Sequence, residues 1–199
     1  MSGKATRAQI VKEADRLFYE QGFEHTSFSD IADVVGISRG NFYYHFKTKD
    51  EILDAVIALR VANTQKMLQT WEQEGAHPAD RIRSFIRILV TNRTKIMRYG
   101  CPVGTLCAEL AKLDHAMQDN AAGLFTLFRT WLVRQFEALG RPEDADRLAM
   151  HLLARSQGIA ALANAFHDED FIEREVEAMC GWLAGYTQPE AYDAAPGQH

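Results

Sequence analysis

Between Thr26 and Lys49 the chain reads T-S-F-S-D-I-A-D-V-V-G-I-S-R-G-N-F-Y-Y-H-F-K-T-K, and few folds accept such a stretch. Phe28, Ile31, Ala32 and Val35 recur at helical spacing, and Thr26 or Ser27 can supply the oxygen that caps the first turn. Gly36 then allows the positive φ of a tight turn. Ser38 caps a second short helix, expected over Arg39–Phe46. Two short helices about a glycine turn form the helix-turn-helix plan, whose second helix enters the DNA major groove.

The second helix has the chemistry that DNA demands. From Ser38 to Lys49 there are three basic residues (Arg39, Lys47, Lys49), one His, two Tyr, one Asn and no acid. Phosphates take cations and hydroxyl donors, while base edges take forked groups such as Arg or Asn. Phe42 and Phe46, four apart, are expected to face inward and fix the helix on its neighbours. Tyr43, Tyr44 and His45 taken singly read equally well as ordinary core or surface residues; the acid-free run as a whole points to DNA.

Residues 7–53 resemble the DNA-binding domain of the TetR family of transcriptional regulators. The matching elements are R-x-x-I-V-x-x-A at Arg7–Ala14, L-F-x-x-x-G-F at Leu17–Phe23, T-S-F-x-x-I-A at Thr26–Ala32, G-I-S-R-G-N-F-Y-Y-H-F at Gly36–Phe46 and K-x-K-D-E-I-L at Lys47–Leu53. The resemblance implies an all-α protein with an N-terminal three-helix DNA-binding domain over 1–47 and a helical ligand-binding and dimerisation domain over 48–187. Residues 188–199 read as a disordered tail. It also implies a homodimer on a palindromic operator, paired through the last two long helices. Position by position, Arg39 is the expected base contact, with Gly40, Asn41 and Tyr43 on the same exposed side. Ser38 belongs to this DNA-facing set, and Thr26, Tyr44, His45 and Lys49 match phosphate-contacting positions.

Net charge looks adverse to DNA until it is divided. The 199 residues carry −5, but residues 1–50 hold seven Lys/Arg and seven Asp/Glu, so the deficit lies in the remainder. An acidic body leaves the reading face free to be locally positive. There is no apolar run of about 20 residues to span a membrane and no apolar signal-peptide core at M-S-G-K-A-T-R. Three cysteines, an odd number and none in C-x-x-C, suit a reducing cytoplasm without a zinc site. No G-x-S-x-G, P-loop or H-E-x-x-H occurs, so neither catalysis, nor a metal, nor a cofactor is expected. A helical enzyme and a helical adaptor without DNA binding are the alternatives.

Beyond the head, helical periods predict helices over 4–22, 48–74, 79–99, 115–139, 143–166 and 169–186, with one more beginning at Pro102. Arg81, Arg83, Arg87, Arg93, Lys95 and Arg98 read as a solvated face. The 143–166 segment is rich in Ala, Gly and Ser, which lets helices approach closely. The segment G-C-P-V-G-x-L-x-x-E at Gly100–Glu109 is similar to one in a TetR subgroup that includes electrophile- and oxidant-responsive repressors. That similarity implies a sensing role for Cys101, which would sit at a helix N-terminus near Arg98, a setting that favours the thiolate. A buried structural thiol is the other reading. No Lys follows Lys112, so the Cys–Lys pairing of some electrophile sensors has no counterpart here. The competing expectation is a small apolar inducer, bound reversibly around Phe85, Leu106, Phe125, Phe128, Trp131 and Gln157.

Overall fold

The structure, a computed structural model, describes residues 3–187, all helix and connecting turn; the expected disorder of 188–199 lies outside the described residues. Among the described residues ten helices follow one another: α1 Gly3–Gln21, α2 Phe28–Val35, α3 Arg39–His45, α4 Lys49–Glu74, α5 Pro78–Thr91, α6 Arg93–Tyr99, α7 Pro102–Lys112, α8 Gln118–Ala138, α9 Ala145–Phe166 and α10 Glu169–Ala184. None of them is long and apolar enough to cross a membrane.

Local chemistry accounts for most of the boundaries. Ser27, not Thr26, caps α2: its hydroxyl accepts from the Asp30 N–H, and the Asp30 carboxylate accepts from the Ser27 N–H at 2.7 Å. Those bonds hold the exposed Asp30 carboxyl below its ordinary pKa. Gly36 ends α2 in the left-handed region, φ 72 and ψ 36, and its N–H and that of Ile37 both return to the Ala32 carbonyl. Ser38 and Thr48 cap α3 and α4 through the N–H groups of Asn41 and Glu51. The helix expected over 79–99 is two helices, broken at Asn92.

Two apolar cores result. One gathers the inner faces of α1–α3, Ile52, Leu53, Val56 and Ile57 of α4, Leu106 and Leu110 of α7 and Ala121 of α8. The other packs α5, α6, α8, α9 and α10 around fully buried Phe136, Leu148 and Leu152. The first core therefore crosses the boundary at residues 47/48 and includes α7.

Candidate functional site

The reading helix stands on aromatic anchors. Phe42 and Phe46 are each 1% exposed, and the Arg7 guanidinium covers the Phe46 ring at 4.5 Å. Anchored at those points, α3 turns Arg39, Gly40, Asn41, Tyr43 and Tyr44 outward. Tyr44 is 77% exposed, a costly placement for an aromatic ring unless a partner uses it. His45 is half-buried against the Tyr44 ring, and Tyr43 leans on Phe28. Ser38 is exposed but uses its hydroxyl oxygen as the helix cap.

Two expected phosphate contacts are placed differently from one another. Thr26 is fully buried; its hydroxyl donates to the Gly22 carbonyl at 2.7 Å and its N–H bonds the Phe23 carbonyl. The expectation of a phosphate contact by the Thr26 side chain is therefore corrected: both of its donors close the turn between α1 and α2. Lys49 is half-buried, donates to the Glu24 carbonyl at 3.0 Å and lies over the Phe23 ring at 4.4 Å. Burial lowers its ammonium pKa below the ordinary lysine value. Its ammonium group is tethered to the turn between α1 and α2 rather than loose.

The body holds the second site, a cavity of about 540 Å³. Four of the residues expected around an inducer, Phe85, Phe125, Phe128 and Gln157, line it, and so does Cys101. Phe85 and Phe128 meet edge to face, with centroids 5.7 Å apart. Two expected members do not line it. Leu106 is buried in the core shared by α1, α4 and α7, and Trp131 is buried against Trp71 in the core of the body. Helical period marks both as inward but does not say towards which of two interiors.

The cavity is closed on one side by the head itself, which sequence reasoning missed. Lys12, Asp15, Arg16, Tyr19 and Glu20 of α1 form part of its wall. Arg60 of α4, 8% exposed, bonds Asp15 at 2.6 Å and the Pro102 carbonyl at 2.6 Å, tying α1, α4 and the start of α7 together. The Tyr19 hydroxyl donates to the Gly100 carbonyl at 2.7 Å, and burial pushes its pKa up to about 12. At the other end of α7, the Glu109 carboxylate accepts the N–H groups of Phe23 and Glu24 at 2.9 and 2.8 Å. A charged residue within a predicted helix is usually solvated, so nothing at Asp15, Arg60 or Glu109 signalled these long-range bonds.

Cys101 is half-buried on the cavity wall and is the N-cap of α7. Its sulfur receives the Gly104 N–H and the Gln157 amide, each at 3.5 Å. The Gln157 amide lies close to Gly104: a Cβ there would meet its oxygen at 2.3 Å, so a larger residue would require the Gln157 side chain to turn away. The expected neighbour Arg98 instead lies over the Tyr99 ring, and the guanidinium that bonds the adjoining Pro102 carbonyl is Arg60. Cys107 is half-buried in α7, and burial raises its thiol pKa.

An outward acid-free helix and a cavity walled partly by the head suit a ligand-responsive DNA reader, and known proteins of this form are found. Residues 10–56 match the family of bacterial regulatory proteins of the tetR type, and residues 78–177 match the C-terminal domain of LmrA/YxaF-like transcriptional regulators. The chain is 44% identical over 165 residues to the probable HTH-type transcriptional regulator ArpR of Pseudomonas putida, covering 77% of this chain and 78% of that one. It is 28% identical over 165 residues to the HTH-type transcriptional regulator TtgR of Pseudomonas putida, with the same coverage of both chains. A TetR transcriptional regulator from Chloroflexus aurantiacus superposes with a TM-score of 0.81 at 22% identity, over 92% of this chain and 96% of that one. With the second family model spanning half the chain and the first covering the reading head, the chain belongs to the TetR family of transcriptional regulators.

Proposed function

We propose that the protein is a homodimeric repressor that grips a palindromic operator with two copies of the 27–46 unit and lets go when its cavity is filled or Cys101 is modified. The observation that carries the DNA half is the exposed face of α3: Arg39, Asn41, Tyr43 and Tyr44 point outward from a helix whose other side is locked by Phe42 and Phe46. One seven-residue helix offers few base contacts, and two-fold pairing on adjacent major grooves doubles them. The division at 47/48 is then one of task, a reading head and a responding body, while the packing crosses it.

The outer faces of α9 and α10 serve as the dimer surface. On α9, Met150, Ala154, Gly158, Ala161, Leu162 and Phe166 recur at helical spacing and are exposed, Phe166 by 73%. Release follows from differential affinity: an occupant of the cavity touches α1 as well as the body, so it favours one angle of the head over another. A reversible ligand fits the aromatic end of the cavity. Modification of Cys101 is the second route, favoured by the placement of its sulfur on that same wall.

Gel-shift titrations on the promoter region of its own gene, repeated across salt, test the reading. Arg39→Ala relaxes discrimination at one base pair, costing about 1–3 kcal/mol. Lys49→Ala weakens binding to all sequences and lowers the salt slope by about 1 per half-site. An unchanged slope removes Lys49 from the interface, and absence of operator binding by the unaltered protein ends the proposal. Cys101→Ser separates the two release routes: normal release by an electrophile in this variant rules out the thiol.

A further inference from the structure

The cavity's wall is divided in kind. Phe85, Phe125, Phe128, Ile88 and Leu153 make one part apolar, while the part facing α1 is polar and charged. Six charged side chains line the cavity: the cations Lys12, Arg16, Arg60 and Lys95 and the carboxylates Asp15 and Glu20. Both carboxylates are already engaged. Asp15 binds Arg60 at 2.6 Å, and Glu20 binds Arg16 at 2.7 Å, with Glu13 on the same guanidinium at 3.0 Å. Among the described residues, Lys12 and Lys95 have no hydrogen-bond or ion-pair partner. Both are exposed, and they come from different parts of the chain, Lys12 from α1 of the head and Lys95 from α6 of the body. Two unpaired ammonium groups at the mouth of an apolar cavity, in a chain whose net charge is −5, are an uncompensated positive site.

Resting on the ligand-bound reading above, we infer that this cavity takes an amphipathic anion: an aromatic or aliphatic body seated among the phenylalanines and a single anionic group held between Lys12 and Lys95. A cationic amphipath is disfavoured because each carboxylate that would receive it is occupied by a guanidinium. The anionic group does more than add affinity. It links a head residue to a body residue, so the ligand's charge is sensed as a constraint on the angle between them.

The test uses two dyes of one shape, the anion 8-anilinonaphthalene-1-sulfonate and its neutral parent N-phenyl-1-naphthylamine, titrated by fluorescence into the full-length protein at fixed salt. The ratio of their affinities is the readout, because it cancels the shared apolar term. Phe128→Ala weakens both dyes in parallel, which places them in the cavity. The Lys12→Ala/Lys95→Ala double variant weakens the sulfonate up to roughly tenfold and leaves the neutral dye unchanged, the upper end of what two exposed charge contacts supply. If the double variant changes both dyes equally, or neither, the anion proposal is overturned while the cavity reading stands on the Phe128→Ala result. If Phe128→Ala affects neither dye, or neither dye binds, the cavity reading itself falls.

Discussion

The head and the body solve recognition in opposite ways. On the proposed reading, the head presents its DNA-facing side chains from one continuous helix, seven residues long, with the rest of its core as support. The body instead encloses a cavity, the proposed ligand site, whose wall is drawn from α1, α4, α5, α6, α7, α8 and α9. A surface made by one segment works as soon as that segment is held still. A cavity made by seven helices changes shape when any of them shifts, which suits a sensor. The difference teaches where coupling, on the proposed reading, lies: in the elements that belong to both regions, and these are α1, α4, α7 and α8.

The sharpest way to break the comparison is to remove equal packing from the two cores. Leu110 on α7 and Leu152 on α9 are both completely buried, one in the core that supports the reading helix and one in the core of the body. Truncating either to Ala costs about 2–5 kcal/mol, the usual range for a buried leucine. Chemical denaturation should show comparable losses. Operator affinity should respond only to Leu110→Ala, because Leu110 shares its core with Phe42 and Phe46, although more than sixty positions separate them in the chain. Equal operator affinities for the two variants at a temperature where both are folded would show that α7 does not support the head.

How much of this was legible in sequence follows the same division. The head was readable because its signals are local: Gly36 for the turn, Ser38 for the cap, Phe42 and Phe46 four apart. Thr26 is placed otherwise than expected, because a hydroxyl beside a glycine turn serves the chain's own carbonyls as readily as a phosphate. In the body, helix existence was readable and interior geometry was not. Leu106 and Trp131 carry the same apolar period as Phe125 and Phe128, and only packing decides which of them meets a void. The break at Asn92 escaped notice because neither Gly nor Pro marks it. Asn is a poor helix former that bonds readily to nearby backbone, and here its side faces the cavity. Arg60 and Glu109 were unreadable as couplers, since their partners lie 45 and 86 residues away.

Glu109 sharpens the comparison further. Its two oxygens each accept one N–H from the turn after α1, so the carboxylate acts as a clamp between α7 and the head. Glu109→Gln keeps the shape but leaves one acceptor oxygen for two donors, costing about 1–2 kcal/mol. The expected readout is hydrogen exchange: the Phe23 and Glu24 amides lose protection, while amides within α9 keep theirs. If protection at Phe23 and Glu24 is unchanged, the clamp is dispensable and the coupling runs through Arg60 and Tyr19.

The smallest effect is informative through its sign. Gly158 sits mid-helix in α9, on the outer face, and an added Cβ there meets nothing within 4 Å. In an isolated subunit Gly158→Ala should stabilise α9 by about 1 kcal/mol, because alanine loses less backbone entropy and shields the helix better. In a dimer packed through this face the same methyl lies between two close helices and pushes them apart. The two expectations differ in direction, so thermal denaturation at several protein concentrations distinguishes them. A dimer through α9 predicts a Tm that rises with concentration in the unaltered protein, and a lower Tm and a larger dissociation constant for Gly158→Ala. A concentration-independent Tm that rises on substitution would mean that α9 faces water, and the exposed Met150, Leu162 and Phe166 would then need a different partner.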